Sequence, residues 1–216
     1  IKGQVWYNET ANTIKVESET TAGAWATSGS LNTARSDMGG AGTQTAALGF
    51  AGSNSATTET YNGSAWTEVN DLNTARASIG GCGATNTAAL AYGGKTPPNN
   101  KQTLTESWNG TNWTEVNDLN AAKSSMAGFG IQTAALSVGG VMAPATGQVA
   151  QTETWNGTNW TELNDLNTAR ESLRGAGITT AGLVFGGYAS TLTPTATAIT
   201  ESWNGTNWTE VADLNT

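Results

Sequence analysis

The chain has 216 residues, of which only 12% are charged, and its formal net charge is −8 with a pI near 4.4. This acidic balance argues against nucleic acid and anionic membranes as partners, because both bind through basic patches. The sequence contains no histidine, which excludes histidine-dependent catalytic triads, histidine zinc sites and imidazole switches.

The single cysteine, Cys82, excludes an internal disulfide and predicts a small buried apolar residue rather than a nucleophile. No apolar stretch approaches the ~20 residues needed to cross a bilayer, so no membrane insertion is predicted. Ile1 opens the chain without a signal-peptide pattern, which indicates a processed product or a fragment.

Residues 1–30 form the first predicted segment. The stretch "GQVWYNETANTIKVE" from Gly3 predicts a hairpin, and "GAWATSGSL" from Gly23 matches the last strand of the repeats that follow. We therefore expect an N-terminal hairpin and a partial blade here.

Residues 31–216 consist of repeats. The phrase "ESWNGTNWTEV" begins at Glu106, and variants of it begin at Glu59, Glu153 and Glu201, in steps of 47, 47 and 48 residues. A second phrase, "LNTARASIGGCGATNTAALAY" from Leu72, recurs with the same spacing apart from a shorter first step of 41. Together they define four units, at about residues 31–71, 72–118, 119–165 and 166–214.

Each unit predicts four short strands, a to d. In the second unit strand a spans 78–83, strand b spans 87–94, strand c ends at Trp108 and strand d begins at Trp113. The Asn-Gly pair between the two tryptophans suits a hairpin turn, which places their rings opposite each other. No 3.6-residue apolar spacing appears, so helices are not predicted. The fold predicted is an all-β β-propeller of four-stranded antiparallel blades.

A strand ending in a double glycine ("AYGG", "SVGG", "VFGG"), then an aromatic residue, a turn and a tryptophan, resembles the kelch repeat. The resemblance covers residues 31–216 and implies the architecture of the galactose-oxidase central domain. "WNG" stands where kelch units usually have a tyrosine-aspartate pair, and the copper ligands of galactose oxidase have no counterpart as a set. The resemblance therefore implies no copper chemistry, and we predict no cofactor and no metal.

The opening segment from Gly3 also resembles the short hairpin modules of tailed-phage virion and fibre proteins, and the "LNTAR…GTQTAAL…GG" repeats resemble kelch-like proteins of marine phages. This second resemblance implies a virion protein. The number of blades stays open: four complete blades close alone, or the N-terminal hairpin belongs to a partial fifth blade that needs strands from further along the chain.

The b–c loops differ between units, whereas the c–d loops are nearly invariant. Divergent loops on a constant scaffold are where binding usually resides, although neutral drift would give the same pattern. The candidate binding residues in these loops are Lys95, Pro97, Pro98, Asn99, Met142, Pro144, Tyr188 and Pro194.

One cation recurs near the d–a loop of every unit, on the same predicted face. The four positions are Arg35, Arg76, Lys123 and Arg170. They predict either a cationic ring that attracts an anionic glycan or carboxylate, or ion pairs with Asp71, Asp118 and Asp165 of the same loops.

Two glutamates per unit would face each other across the c–d hairpin. The pairs are Glu59/Glu68, Glu106/Glu115, Glu153/Glu162 and Glu201/Glu210. Opposed carboxylates suit a glycosidase, but an active site is normally built once per chain, so this repetition predicts a structural role.

These observations predict a non-enzymatic structural or adhesion module of a phage virion, in a tail, fibre or decoration protein. Its expected partners are other virion proteins or a host cell-surface glycan, bound through the b–c loops, and a homo-oligomer is compatible with this role. The alternative is a secreted or cell-surface bacterial glycan-binding propeller, and a carbohydrate-active enzyme is a third class.

Overall fold

The computed structural model describes residues 5–8, 13–16, 27–144, 147–189 and 195–215. In this part of the chain the structure is all-β, and it contains no helix, hence none that could cross a membrane. The strands are β1 (Val5–Asn8), β2 (Thr13–Val16), β3 (Gly39–Thr43), β4 (Ala46–Phe50), β5 (Thr58–Tyr61), β6 (Trp66–Val69), β7 (Gly80–Thr85), β8 (Ala88–Tyr92), β9 (Lys95–Thr96), β10 (Asn100–Lys101), β11 (Thr105–Trp108), β12 (Trp113–Val116), β13 (Lys123–Ser124), β14 (Ala127–Ile131), β15 (Ala134–Val138), β16 (Val141–Met142), β17 (Thr152–Trp155), β18 (Trp160–Glu162), β19 (Arg170–Glu171), β20 (Arg174–Ile178), β21 (Ala181–Phe185), β22 (Tyr188–Ala189), β23 (Thr195–Ala196), β24 (Thr200–Trp203) and β25 (Trp208–Val211).

Four antiparallel sheets of four strands each make up most of the described structure. Sheet 1 is β3-β4-β5-β6, sheet 2 is β7-β8-β11-β12, sheet 3 is β14-β15-β17-β18 and sheet 4 is β20-β21-β24-β25. Neighbouring strands follow chain order, so each sheet is the a-b-c-d meander predicted for one repeat unit. A separate hairpin, β1 with β2, lies in the N-terminal segment where a hairpin was predicted.

The c–d hairpin has the predicted register, and sheet 2 is typical. Trp108 lies opposite Trp113, with ring centroids 5.3 Å apart. The side-chain oxygen of Asn109 accepts hydrogen bonds from two backbone N–H groups of the turn, and Gly110 adopts a φ of 93° that a β-carbon would disfavour. The Asn-Gly turn therefore fixes the register that pairs the two rings.

The four a-strands pack side by side in the order β3, β7, β14, β20. Glycine permits this approach, because a β-carbon on Gly81 would lie only 2.6 Å from the ring of Phe50 in the preceding sheet. These strands border a common cavity of about 180 Å³, to which each of the four contributes residues.

Apolar side chains fill the space between consecutive sheets. Phe50 of sheet 1 meets Trp113 of sheet 2 edge to face at 5.0 Å, and Tyr92 meets Trp160 in the same way at 4.8 Å. Between sheets 3 and 4 the strand-b residue is aliphatic, and Val138 belongs to the same buried cluster as the tryptophans of sheet 4. Each such buried side chain contributes roughly 1.5–3 kcal/mol, so the repeats are held together by the core they share.

Candidate functional site

The b–c loop face is the surface formed by the loops between strands b and c, at residues 51–57, 93–104, 139–151 and 186–199. Within the described residues these loops differ in structure. The first forms a single isolated bridge and the second contains the ribbon β9–β10. The later two pair with the segment that precedes strand a of their own sheet, as β13 with β16 and β19 with β22.

Backbone hydrogen bonds fix these loops to the neighbouring unit. The N–H of Gly94 donates to the carbonyl of Lys123 at 2.9 Å, and Gly140 donates to Arg170 at 2.8 Å. The loops are therefore attached at their bases to the sheet that follows, so a binding surface here would rest on a fixed frame.

The structure locates most of the candidate loop residues on this face. Pro97, Pro98, Asn99 and Pro144 are exposed, Tyr188 is 44% exposed, and Lys95 and Met142 are half-buried. Pro194 lies outside the described residues. These side chains belong to three different loops, and Lys95 and Asn99 line one cleft together.

That cleft has a volume of about 220 Å³ and lies between the loop of sheet 2 and the segments that lead into sheets 3 and 4. Its lining is Lys95, Asn99, Lys101, Ser124, Ser125, Val141 and Glu171. Glu171 accepts a hydrogen bond of 2.9 Å from the neutral amide of Gln148 and keeps its negative charge, so the lining combines two lysines, one carboxylate and serine hydroxyls.

Lys95 lies directly opposite Lys101 in the ribbon β9–β10. Opposed residues of an antiparallel pair project from the same face, and like charges in this position destabilise the pair. In a chain with nine basic residues and a net charge of −8, two lysines against the one carboxylate of Glu171 leave this small cleft with a net positive charge. Such a cleft suits a carboxylate, sulfate or phosphate group.

The four recurring cations do not form an exposed ring. Each side chain is at most 1% exposed and lies 2.7–3.1 Å from a glutamate of strand c; the pairs are Arg35–Glu59, Arg76–Glu106, Lys123–Glu153 and Arg170–Glu201. A ligand in solvent cannot reach them, which corrects their assignment as candidate binding residues.

The aspartates expected as ion-pair partners have another role. Asp71 accepts a hydrogen bond from the backbone N–H of Thr58 at 3.0 Å, and Asp118 does the same for Thr105. The cations bond groups outside this loop, because an extended arginine can donate to backbone carbonyls and to a carboxylate at the same time. Arg76 donates to the carbonyls of Gly93 and Leu104 and to the carboxylate of Glu106.

Lys123 is the one lysine among these four cations. Burial lowers the pKa of its ammonium group, while the nearby carboxylate of Glu153 opposes that shift. Burial also lowers the pKa of Arg76, and Glu106 opposes it in the same way. These pairs belong to the interior of the sheets and hold each linker on the strand c that follows it.

The glutamates are opposite each other in register as predicted, yet their environments differ. Glu106 is 2% exposed, whereas its partner Glu115 is exposed. One carboxylate oxygen of Glu106 accepts hydrogen bonds from the backbone N–H and the side-chain amide of Asn73, at 2.7 and 2.9 Å, while Arg76 occupies the other oxygen. Both oxygens therefore have protein partners, as expected of a structural group.

Two features of the site were not predicted from the sequence, namely the asparagine–glutamate link and the position of Lys101. The link repeats at Asn32–Glu59, Asn73–Glu106, Asn120–Glu153 and Asn167–Glu201. The invariant "LN" before each recurring cation is a signal that could have indicated it. For Lys101 the signal is weaker, namely two lysines flanking the Pro97-Pro98 turn.

Among the described residues, no group of three or more cysteine, aspartate and glutamate side chains could hold a metal ion. A comparison of the chain with models of known protein families and with curated proteins finds no match.

Proposed function

We propose that this chain is a non-enzymatic adhesion module of a tailed-phage virion, built as a kelch-like β-propeller with four complete blades and a partial fifth. Its b–c loop face binds an acidic glycan of the host cell surface. The fold part of the proposal is supported by four sheets of identical topology whose a-strands border one cavity.

The single observation that most supports binding is the pair Lys95 and Lys101 in one cleft of the b–c loop face. Opposed ammonium groups cost stability in the free protein, and an anion between them reverses that cost. Such an arrangement is expected where a ligand supplies the negative charge. Uronic and sialic acids, common in surface glycans, present a carboxylate of suitable size.

A non-enzymatic role is supported by the state of the inner glutamates. Each is buried and accepts hydrogen bonds from an asparagine as well as contacting a cation. A general acid or base must be within reach of substrate, and these carboxylates are at most 2% exposed.

Binding of the purified chain to intact candidate host cells tests the proposal. The double variant Lys95→Gln with Lys101→Gln is expected to lose binding, whereas Lys95→Arg with Lys101→Arg keeps the charges and is the matched control. Higher salt should weaken wild-type binding, because the contact is between charges. A Gln variant that binds as tightly as wild type, at equal folding, would contradict this site.

Replacing residues 95–103 and 141–151 with short Gly-Ser turns tests the whole face. Binding that survives both replacements would exclude the b–c loop face. If the protein binds no host cell but co-purifies with phage particles, a purely architectural role in the virion is favoured. If it binds glycan but is found in no particle, the secreted bacterial alternative is favoured.

A further inference from the structure

Consecutive sheets are joined by one repeated hydrogen bond. The strand-d tryptophan of each sheet donates its indole N–H to the strand-c threonine of the sheet before it. The pairs are Trp113–Thr58 at 3.1 Å, Trp160–Thr105 at 3.0 Å and Trp208–Thr152 at 3.0 Å.

Sheet 4 presents the acceptor side of this interface with no sheet against it in the described residues. Thr200 occupies the position of the three acceptor threonines. Leu183 of strand b is 43% exposed, whereas its equivalent Leu90 in sheet 2 is fully buried. Leu214, in the linker after strand d, is 47% exposed, against 3% for Leu119. This face therefore has the same residue types as the buried interfaces between sheets, but its two leucines are exposed to solvent.

Sheet 1 presents the donor side. Trp66 is only half-buried, unlike the matching tryptophans, and its indole N–H has no acceptor among the described residues. Its ring packs against that of Tyr61, with centroids 5.1 Å apart and the planes tilted by 36°, and borders a cleft of about 500 Å³. The two halves of one interface are therefore both open, at opposite ends of the row of sheets.

The N-terminal segment leads into this opening. The hydroxyl of Ser28 hydrogen-bonds the phenol of Tyr61, and Gly29 lies against the turn of sheet 1 at Ser64. Asn70 makes the matching contact one unit later, where its side-chain amide donates to Thr111 at 2.9 Å. Residues 27–30 thus follow the path of a chain leaving a strand d on the open side of sheet 1.

The sequence of the preceding residues repeats the c–d phrase. "SETTAGAW" at 18–25 matches "TETYNGSAW" at 58–66 with one residue fewer in the turn. The alignment pairs Ser18 with Thr58, Glu19 with Glu59 and Trp25 with Trp66. On this alignment the segment has the partners that the two open faces lack. Trp25 is a hydrogen-bond donor for Thr200, Ser18 is an acceptor for Trp66, and Glu19 is an acceptor for Asn215.

We propose that the N-terminal segment of this chain, residues 1–26, docks between sheet 4 and sheet 1 as a fifth unit of the same repeat. Trp25 donates to Thr200, and Glu19 accepts from Asn215 as the other linker asparagines bond their glutamates. The hairpin β1–β2 supports this occupant independently, since a two-stranded hairpin is marginally stable alone and gains stability by packing on a sheet face.

Hydrogen exchange of the full-length chain, read by mass spectrometry, tests the docking. In the wild type, amides of β1 and β2 should exchange at least about tenfold more slowly than in a peptide of residues 1–26. Leu183→Glu places a charge on the open face of sheet 4 and should abolish that protection while sheets 2 and 3 stay protected.

Ile131→Glu is the matched control, because Ile131 is 42% exposed in sheet 3 and lies outside the proposed groove. It should leave β1 and β2 protected. Trp25→Ala, in the docking segment itself, should act like Leu183→Glu. Peptide-like exchange of β1 and β2 in the wild type, or protection that survives both Leu183→Glu and Trp25→Ala, would falsify the docking.

Sedimentation at the same concentrations identifies the source of the segment. A monomeric mass with protected β1 and β2 supports docking within one chain. Protection that appears only in a dimer would mean that a second copy supplies the segment, and this overturns the intrachain proposal. Both results are independent of any ligand on the b–c loop face.

Discussion

Sheets 2 and 4 have closely similar sequences, yet their apolar residues differ in burial. Leu90 is fully buried and its equivalent Leu183 is 43% exposed, whereas Glu106 and Glu201 are at most 2% exposed. The glutamates are covered by a linker that precedes the sheet in the chain, so their environment forms within each unit. The leucines are covered by the sheet that follows. In a repeat protein, a residue's burial therefore depends on which neighbour supplies its cover.

The strongest test of this comparison removes a glutamate from each sheet. Glu106→Ala and Glu201→Ala should each destabilise the protein by about 3–5 kcal/mol, because each leaves a buried arginine without its carboxylate. Urea unfolding measures both. The control Glu115→Ala is exposed and should change stability by less than about 0.5 kcal/mol. Clearly unequal losses at Glu106 and Glu201 would mean that the ion pairs also depend on the next sheet.

A second test compares the tryptophans that join the sheets. Trp160→Ala should cost roughly 3–5 kcal/mol, since the ring is 5% exposed and packs edge to face on Tyr92. Trp208→Ala removes an equally buried ring with no such aromatic partner in sheet 3, so its cost should be smaller by about 0.5–1.5 kcal/mol. A Trp160→Ala variant that melts like the parent would refute the shared-core account.

Alkaline pH should weaken the contact between sheets 2 and 3. Burial raises the pKa of the Cys82 thiol from its ordinary 9.0 to about 12, and burial also raises that of Tyr92. Above pH 9 the unfolded chain loses the thiol proton while the folded chain keeps it, so stability falls as pH rises toward 12, by at most about 1.4 kcal/mol per pH unit for this group.

Cys82→Ala isolates the thiol, because alanine stands at the matching positions 41 and 176. In urea unfolding between pH 8 and 11, this variant should lose less stability than wild type while Tyr92 still contributes. Identical slopes would show that the thiol does not titrate differently on unfolding.

The smallest expected effect concerns Lys123. In sheets 1, 2 and 4 an arginine at this position bonds two backbone carbonyls and the glutamate, whereas the Lys123 ammonium makes no well-aligned hydrogen bond in the interior. Lys123→Arg should therefore stabilise the protein by up to about 1 kcal/mol, measured by thermal unfolding with Arg76→Lys as the reverse control. Destabilisation by Lys123→Arg would mean that sheet 3 has no room for the guanidinium.

Most of the candidate residues could be identified from the sequence, but the sequence could not decide which of them lie together in the structure. Divergent loops with Lys95 and the prolines were apparent from comparing the units, because loop differences need no coordinates. That Lys101 faces Lys95 depends on the register of a two-residue ribbon, and the pairing of Arg76 with Glu106 depends on two segments 30 residues apart. Sequence proximity favoured Asp71 and its equivalents instead, and this was wrong because the aspartates hold the backbone of strand c.

The sequence by itself determined the four-stranded units, their order and the register of the c–d hairpins, because turn residues and alternation act over a few residues. Only the tertiary structure decided which repeated side chains are buried. The cation–glutamate pairs join a linker to a strand about 30 residues further along the same unit, whereas the Trp–Thr bonds and the open faces of sheets 1 and 4 depend on the neighbouring unit. The same residue in the same phrase is interior or surface according to whether another sheet lies against it.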